Sequence, residues 1–377
     1  MTTFTPFKLS IADRDLDDLK ARLEGARWPV EVAPETDERG IRGATLKTLA
    51  DYWLKRFDWR KEEARMNAYD QVMVEHEGQL MHAFHIPSKN ADSIPLVLVH
   101  GWPSSGVEYL RIVEQLTGSF HLVIPTLPGF GLSPAPTVSG WTMSKTAEAI
   151  VALLDYLGYQ RFALHGTDMG SAVVGNIDVA APGRAIGIHV GTDLDSVIAV
   201  ASFMGADVSR YSHLTAAQRE QLRAAFAGLD DRNGYIAIQR SRPKTLGYAL
   251  NDSPLGQLAW IAEKFNAWTN PRKAGIGDAI DLDQFLINAS VYWFGGGGAG
   301  SANAMWESFR AMGWTPPSPT PRGVAVFNAD PLVRQLFDPQ HQVPHWTEYA
   351  EGGHFPAMEE PAILAADLRQ FFGGLTR

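Results

Sequence analysis

The segment His165-Gly166-Thr167-Asp168-Met169-Gly170-Ser171 constrains this chain more than any other. Glycines two positions either side of a polar residue, after the apolar run Phe162 to Leu164, make the frame of a strained strand-to-helix turn that projects the side chain at its tip. Here the tip is Asp168. A carboxylate, with a reference pKa of about 3.9, is ionised at neutral pH and needs no base to become nucleophilic. An aspartate at this turn therefore points to attack on an electrophilic carbon, such as that of an epoxide or alkyl halide, to give an alkyl-enzyme ester. Read alone, the segment fits equally well a strand and a turn whose Asp caps the following helix.

The flanking sequence provides a sheet for the turn. Ile94 to Val99 is wholly apolar and ends at His100-Gly101-Trp102-Pro103, as a strand buried on both faces does. Leu122 to Pro125, Phe162 to Leu164 and Ala185 to Val190 repeat the pattern, and Thr146 to Gly158 has helical periodicity. Strands alternating with helices imply right-handed crossovers and a doubly wound, mostly parallel sheet. Such sheets bind ligands at the carboxyl ends of strands, where His100, Pro128, Asp168 and Asp193 fall.

Upstream, Asp13 to Trp28 and Thr45 to Met66 carry leucines and aromatics at helix-face spacing, and Tyr69 to His85 alternates as a strand pair turned at Glu77-Gly78. From about 196 the strand rhythm gives way to helical, loop-rich sequence in which Gly295-Gly296-Gly297-Gly298 reads as a flexible turn. A strand returns at Gly323 to Phe327, another lies near Gln342 to Thr347, and Pro361 to Phe372 forms a closing helix. Four segments result: an N-terminal helical meander over 1–90, a core over 91–195, a helical lid over 196–314 and the rest of the core over 315–377.

A chain of 377 residues exceeds one compact core and accommodates such a lid. A net charge of −9 removes the basic footprint that nucleic acid requires and disfavours an anionic membrane surface. The absence of cysteine excludes disulfides, a thiol nucleophile and thiolate metal ligands. Met1 to Asp13 has no cationic start followed by an apolar run, so no signal peptide is read and a cytoplasmic enzyme is expected. Oligomeric state is not legible, and a homodimer stays open.

Asp168, Asp330 and His354 each follow an expected strand, in the nucleophile, acid, histidine order of an α/β-hydrolase fold. In that arrangement Asp330 holds the His354 ring in the tautomer that accepts a proton from water. Backbone N–H groups of Trp102 and Met169 fall where an oxyanion hole is built, although Gly101 and Pro103 also suffice for a tight turn.

Collinear motifs along nearly the whole chain resemble the microsomal type of epoxide hydrolase. They include Arg27-Trp28-Pro29, Phe57-Asp58-Trp59-Arg60, His100-Gly101-Trp102-Pro103 and Pro128-Gly129-Phe130-Gly131. They continue through Leu157-Gly158-Tyr159, Leu250-Asn251-Asp252-Ser253-Pro254, Glu263-Lys264-Phe265, Trp268-Thr269 and Gly352-Gly353-His354-Phe355. The resemblance implies an α/β-hydrolase fold with an N-terminal meander and a lid. It also implies a small hydrophobic epoxide and water as substrates, with no metal or organic cofactor. It makes Asp168 the nucleophile, His354 the base, Asp330 its orienting acid and Tyr235 a phenol that protonates the epoxide oxygen. Pro103, Thr167, Met305, Trp306 and Phe355 become pocket positions.

The chain departs from that family at two places. A second tyrosine is expected within Ser301 to Glu307, where Met305 stands, leaving Tyr292 or a water as substitute donors. The tryptophan usual after the nucleophile is replaced by Met169. A haloalkane or haloacid dehalogenase shares the aspartate nucleophile, but the haloalkane type wants a halide-binding N–H beside it, which the Met169 side chain lacks. A relative that binds an epoxide-like or terpenoid ligand without turnover stays open because of Met305. Ser171, three positions past the tip, does not suit a serine esterase.

Overall fold

The computed structural model describes residues 2–34, 36–203, 205–311 and 318–375. Among these residues nine strands form one sheet: β1 (Thr2–Pro6), β2 (Asp70–His76), β3 (Gln79–Ile86), β4 (Ile94–Val99), β5 (Phe120–Pro125), β6 (Phe162–Thr167), β7 (Ala185–Thr192), β8 (Arg322–Val326) and β9 (His345–Glu348). Their spatial order is β1-β2-β3-β5-β4-β6-β7-β8-β9. Pairing is antiparallel from β1 to β5 and parallel from β5 onward. The α/β-hydrolase fold expected from the sequence is the one observed.

The chain steps from β4 to β5 on one side and to β6 on the other, so the strand order reverses around β4. A crevice opens at that reversal, at the carboxyl ends of β4 and β6. β4 supplies the loop with Trp102 and β6 supplies Asp168. Both strands are apolar because helices cover both faces; Leu96, Val97, Leu98, Val99, Phe162, Ala163 and Leu164 are fully buried. Each of the Val, Leu and Phe side chains among them contributes about 1.5–3 kcal/mol by leaving water. One covering helix, Met143–Tyr156, buries Ala147, Ile150, Leu153 and Leu154 at helical spacing, and the Thr142 hydroxyl caps it by accepting the Lys145 N–H.

The first ninety residues contain the helices Asp13–Glu24, Gly43–Lys55 and Trp59–Met66, so the helical stretch expected from Thr45 to Met66 is broken before Trp59; they also contain the hairpin β2–β3 and β1, which the sequence pattern does not mark. Its pattern is only half buried, and Thr3, Thr5 and Pro6 face solvent, so alternation carried little signal. The segment between β7 and β8 is helical, as a lid requires; its expected end at residue 314 lies outside the described residues.

The four glycines are not a flexible turn. Gly295 ends the helix Leu282–Gly295, Gly296 is its left-handed cap (φ 65°), and Gly297 opens the helix Gly297–Arg310. A Cβ at Gly295 would run into the Gly131 carbonyl, so glycine lets the lid pack onto the loop after β5. Among the described residues, no helix is long and apolar enough to cross a membrane.

Candidate active site

Asp168 sits at φ 49°, ψ −125°, a backbone conformation that a non-glycine residue enters at a cost of about 1–3 kcal/mol. Its neighbours make the turn possible. A Cβ at Gly166 would strike the Gly170 carbonyl, and one at Gly170 would strike the Val99 carbonyl. The Asp168 side chain makes no hydrogen bond to the helix it precedes, Met169–Ala180, although that helix's N-terminal dipole favours its charge. The ordinary N-cap reading of this residue therefore fails. Its Oδ1 instead accepts the Trp102 backbone N–H at 2.9 Å, and its side chain remains 29% exposed.

His354 Nε2 stands 3.8 Å from Asp168 Oδ2. Its loop is fixed by the His354 N–H donating to the Trp268 carbonyl and by the Glu359 carboxylate accepting the Phe355 and Asn270 N–H groups. The other ring nitrogen, Nδ1, lies 2.8 Å from Asp193 Oδ2, and Asp193 is in turn held by the Ser196 N–H (2.7 Å) and hydroxyl (3.1 Å). Burial alone would lower the His354 pKa. The Asp193 charge and hydrogen bond, joined by the charges of Asp168 and Glu108, outweigh it and raise the value to about 9. Burial pushes the Asp193 carboxyl up, yet the His354 charge, the His354 hydrogen bond and the Ser196 bonds leave it below its ordinary value. Asp193 and His354 thus form a buried ion pair at neutral pH.

This corrects the assignment of Asp330 as the orienting acid. Asp330 caps the helix Pro331–Phe337, accepting the Leu332 N–H at 2.7 Å, and its other oxygen accepts from Gln221 at 2.9 Å. Asp193 lies just past β7, one strand earlier in the sheet than β8. The sequence placed it at a strand end like Asp330, and the order of nucleophile, acid and histidine admits either; the family resemblance favoured Asp330.

Tyr235, in the helix Gly234–Ser241, stacks on Trp102 (centroids 4.8 Å, 9° between planes) and meets Trp268 at 5.5 Å; Trp268 lies 4.8 Å from His354. Burial, followed by the Asp168 charge and those of Glu263, Asp193 and Asp195, pushes the phenol pKa well above its ordinary range. Asp168, Tyr235, Trp268 and His354 share a pocket of about 710 Å³ whose outer wall includes Ile198, Leu229, Arg232 and Lys264.

The five residues expected in the pocket wall are not among those lining it. Pro103 gives its carbonyl to Asn288, Thr167 is buried at the end of β6, and Phe355 stacks on Phe265 at 3.9 Å beside His354. Met305 is buried in the helix Gly297–Arg310, and Trp306, next to it, carries the Arg310 guanidinium over its ring. Tyr292 is no substitute donor either: its hydroxyl is buried and donates to the Ser104 carbonyl at 2.8 Å. Met169 opens the helix directly after Asp168, which leaves its N–H facing the helix N-terminus.

The chain as a whole is similar to known proteins. The model of the epoxide hydrolase N terminus matches residues 4–109, and that of the alpha/beta hydrolase family matches 96–367. Epoxide hydrolase 1 of Sus scrofa is 31% identical over 407 residues, covering 98% of this chain and 88% of the relative. The chain belongs to the microsomal-type epoxide hydrolase family. Juvenile hormone epoxide hydrolase 2 of Ctenocephalides felis is 29% identical over 97% of this chain and 85% of its own length. The solved Aspergillus niger epoxide hydrolase superposes with a TM-score of 0.81 at 27% identity, covering 99% of this chain and 97% of that one.

Two groups of metal-ligating side chains occur among the described residues, both outside the pocket of this epoxide hydrolase family member. In the buried one, the Asp367 carboxylate accepts from His189 (2.6 Å), His345 (3.2 Å) and the Tyr349 hydroxyl (2.8 Å). Burial raises the Asp367 pKa, but these bonds hold it well below the carboxylate range, and the group is satisfied as a hydrogen-bond knot. The other, His76, Glu77 and Glu148, is open to solvent, and Glu77 is engaged by Lys145.

Proposed function

We propose that this chain hydrolyses epoxides to vicinal diols through an ester on Asp168. The observation that carries the reading is the placement of the Asp168 carboxylate, raised on a strained turn, uncapped, between the Trp102 N–H and His354 Nε2. In the first step one Asp168 oxygen attacks an epoxide carbon, the C–O bond breaks, and the departing oxygen takes the Tyr235 proton. The products are a hydroxyalkyl ester and a Tyr235 phenolate. In the second step His354 removes a proton from water, and the hydroxide adds to the ester carbonyl. Collapse then releases the diol and restores the Asp168 carboxylate. The Trp102 N–H, joined by that of Met169, stabilises the oxyanion.

The electrostatics favour this order. While Asp168 is charged, His354 is held as imidazolium and cannot act as a base. Esterification removes the Asp168 charge, one of the lesser contributions raising the His354 pKa, and so shifts the ring toward the neutral form that a base requires. Asp193 keeps the ring oriented throughout. The Tyr235 phenolate takes a proton from solvent, which restores the resting enzyme.

Incubation with styrene oxide, cyclohexene oxide and bulkier epoxides tests the reading. Diol should form with the intact chain and not with Asp168→Asn. Halide release from haloalkanes without diol from any epoxide would replace it with dehalogenation. A cytoplasmic location and a homodimer belong to the same proposal, tested by cell fractionation and light scattering.

A further inference from the structure

Ring opening moves a negative charge across the pocket. It begins on Asp168, which is consumed as the ester forms, and ends on the phenol that gives up its proton. Among the described residues lining the pocket, Tyr235 is the one phenol. Met305 carries no donor, and the Tyr292 hydroxyl is committed to a backbone carbonyl. A lone phenol beside four carboxylates is a reluctant acid unless a cation meets the charge it acquires.

The structure holds a cation there. Lys264, on the helix Pro254–Trp268, has a side chain only 8% exposed, and its Nζ lies over the Tyr235 ring, 4.5 Å from the centroid. It also lies 5.6 Å from the Trp268 ring. The ammonium is fixed by Glu263 at 2.8 Å and donates to the Arg232 carbonyl at 3.5 Å. Glu263 offsets the cost of burying the ammonium, because a paired ammonium is far less costly to bury than an isolated one. A desolvated ammonium over an aromatic face attracts the ring already, and it attracts a phenolate more strongly. Of the other cations in the wall, Arg232 is turned to Asp195 and the His354 ring is paired with Asp193.

We propose that Lys264 is a positioning residue for ring opening: acting through Tyr235, its ammonium stabilises the phenolate formed as the proton passes to the epoxide oxygen. The bonds made and broken are those of the first step above. Lys264 keeps its own proton, so its role is electrostatic. The inference rests on Tyr235 being the acid, and its test separates the two claims.

Single-turnover mixing with styrene oxide, followed by rapid quench and mass spectrometry of the alkyl-enzyme, is run on the intact chain, K264M, K264R, Y235F and the double variant Y235F/K264M. K264M should slow ester formation by about 10- to 30-fold with substrate affinity little changed, the size expected of a desolvated cation–aromatic contact. It should also move the alkaline limb of that rate to higher pH. K264R should recover most of the rate. In the Y235F background K264M should cost nothing further. The proposal is overturned if K264M costs as much without the phenol as with it, or if only affinity falls. It is equally overturned if Y235F leaves ester formation unchanged, which alone would also remove Tyr235 as the acid. Should K264M not fold, K264Q replaces it, with thermal melts as the control.

Discussion

Replacing Asp193 by Asn separates the two carboxylates that compete for the role of orienting acid. In the intact protein the His354 pKa is raised from 6.5 to about 9. At 1.36 kcal/mol per unit, that is about 3 kcal/mol of preferential support for the charged ring. Asp193→Asn removes the largest contribution to it, and burial then drives the ring neutral, with an amide in place of the carboxylate that fixed its tautomer at Nδ1. A neutral ring in the wrong tautomer costs a comparable hydrolase about 10⁴-fold. Ester hydrolysis should accordingly fall on the order of 10³–10⁴-fold, about 4–5.5 kcal/mol in the barrier. Ester formation, which uses Asp168 and Tyr235, should change far less. The assay is rapid quench with mass spectrometry after mixing enzyme with excess epoxide. Asp193→Asn should accumulate the alkyl-enzyme, whereas Asp330→Ala should turn over normally and lose only about 1 kcal/mol of stability with its helix cap. Trapped ester in Asp330→Ala and normal turnover in Asp193→Asn would refute the reasoning.

The same ion pair predicts a pH-dependent stability. A histidine whose folded pKa exceeds its unfolded one contributes fully below about pH 6.5 and loses that contribution as pH rises through about 9. Urea unfolding at pH 6 and pH 9.5 should therefore show a loss of up to about 3 kcal/mol that His354→Gln lacks; equal losses in both would contradict the pairing. Gly295→Ala should destabilise by about 1–3 kcal/mol or more, because its Cβ meets the Gly131 carbonyl. Gly374→Ala, in the closing helix with open space around it, should instead stabilise by about 0.5–1 kcal/mol. A thermal melt ranking the two in the opposite order would show that the lid junction is not tightly packed.

The fold was legible because β4 to β8 are short apolar runs whose burial leaves no other period, and the elbow announced itself through Gly166 and Gly170. The edge strand β1 was not, since it is half exposed and its pattern carries no core signal. Chain order is consistent with His354 as the histidine but does not choose its partner, and the family resemblance pointed to Asp330. Asp193 and Asp330 both follow strands, and what divides them is three-dimensional: Asp330 spends its oxygens on Leu332 and Gln221, whereas Asp193 faces the imidazole. The glycine run misled for a related reason. Composition says that glycine is permissive, while packing against Gly131 uses its lack of a side chain to bring two backbones together. The pocket wall was illegible because it depends on how the lid helices pack, which brings Leu229, Arg232 and Lys264 to it.

The central claim is that Asp168 itself forms the bond to carbon. A single turnover with enzyme in excess, in water enriched in heavy oxygen, tests it most directly. The oxygen added to the first diol should come from the carboxylate and carry no solvent label, with the label appearing in Asp168. Heavy oxygen in that first diol, with an unlabelled Asp168, would mean that water attacks the epoxide directly and would contradict the account.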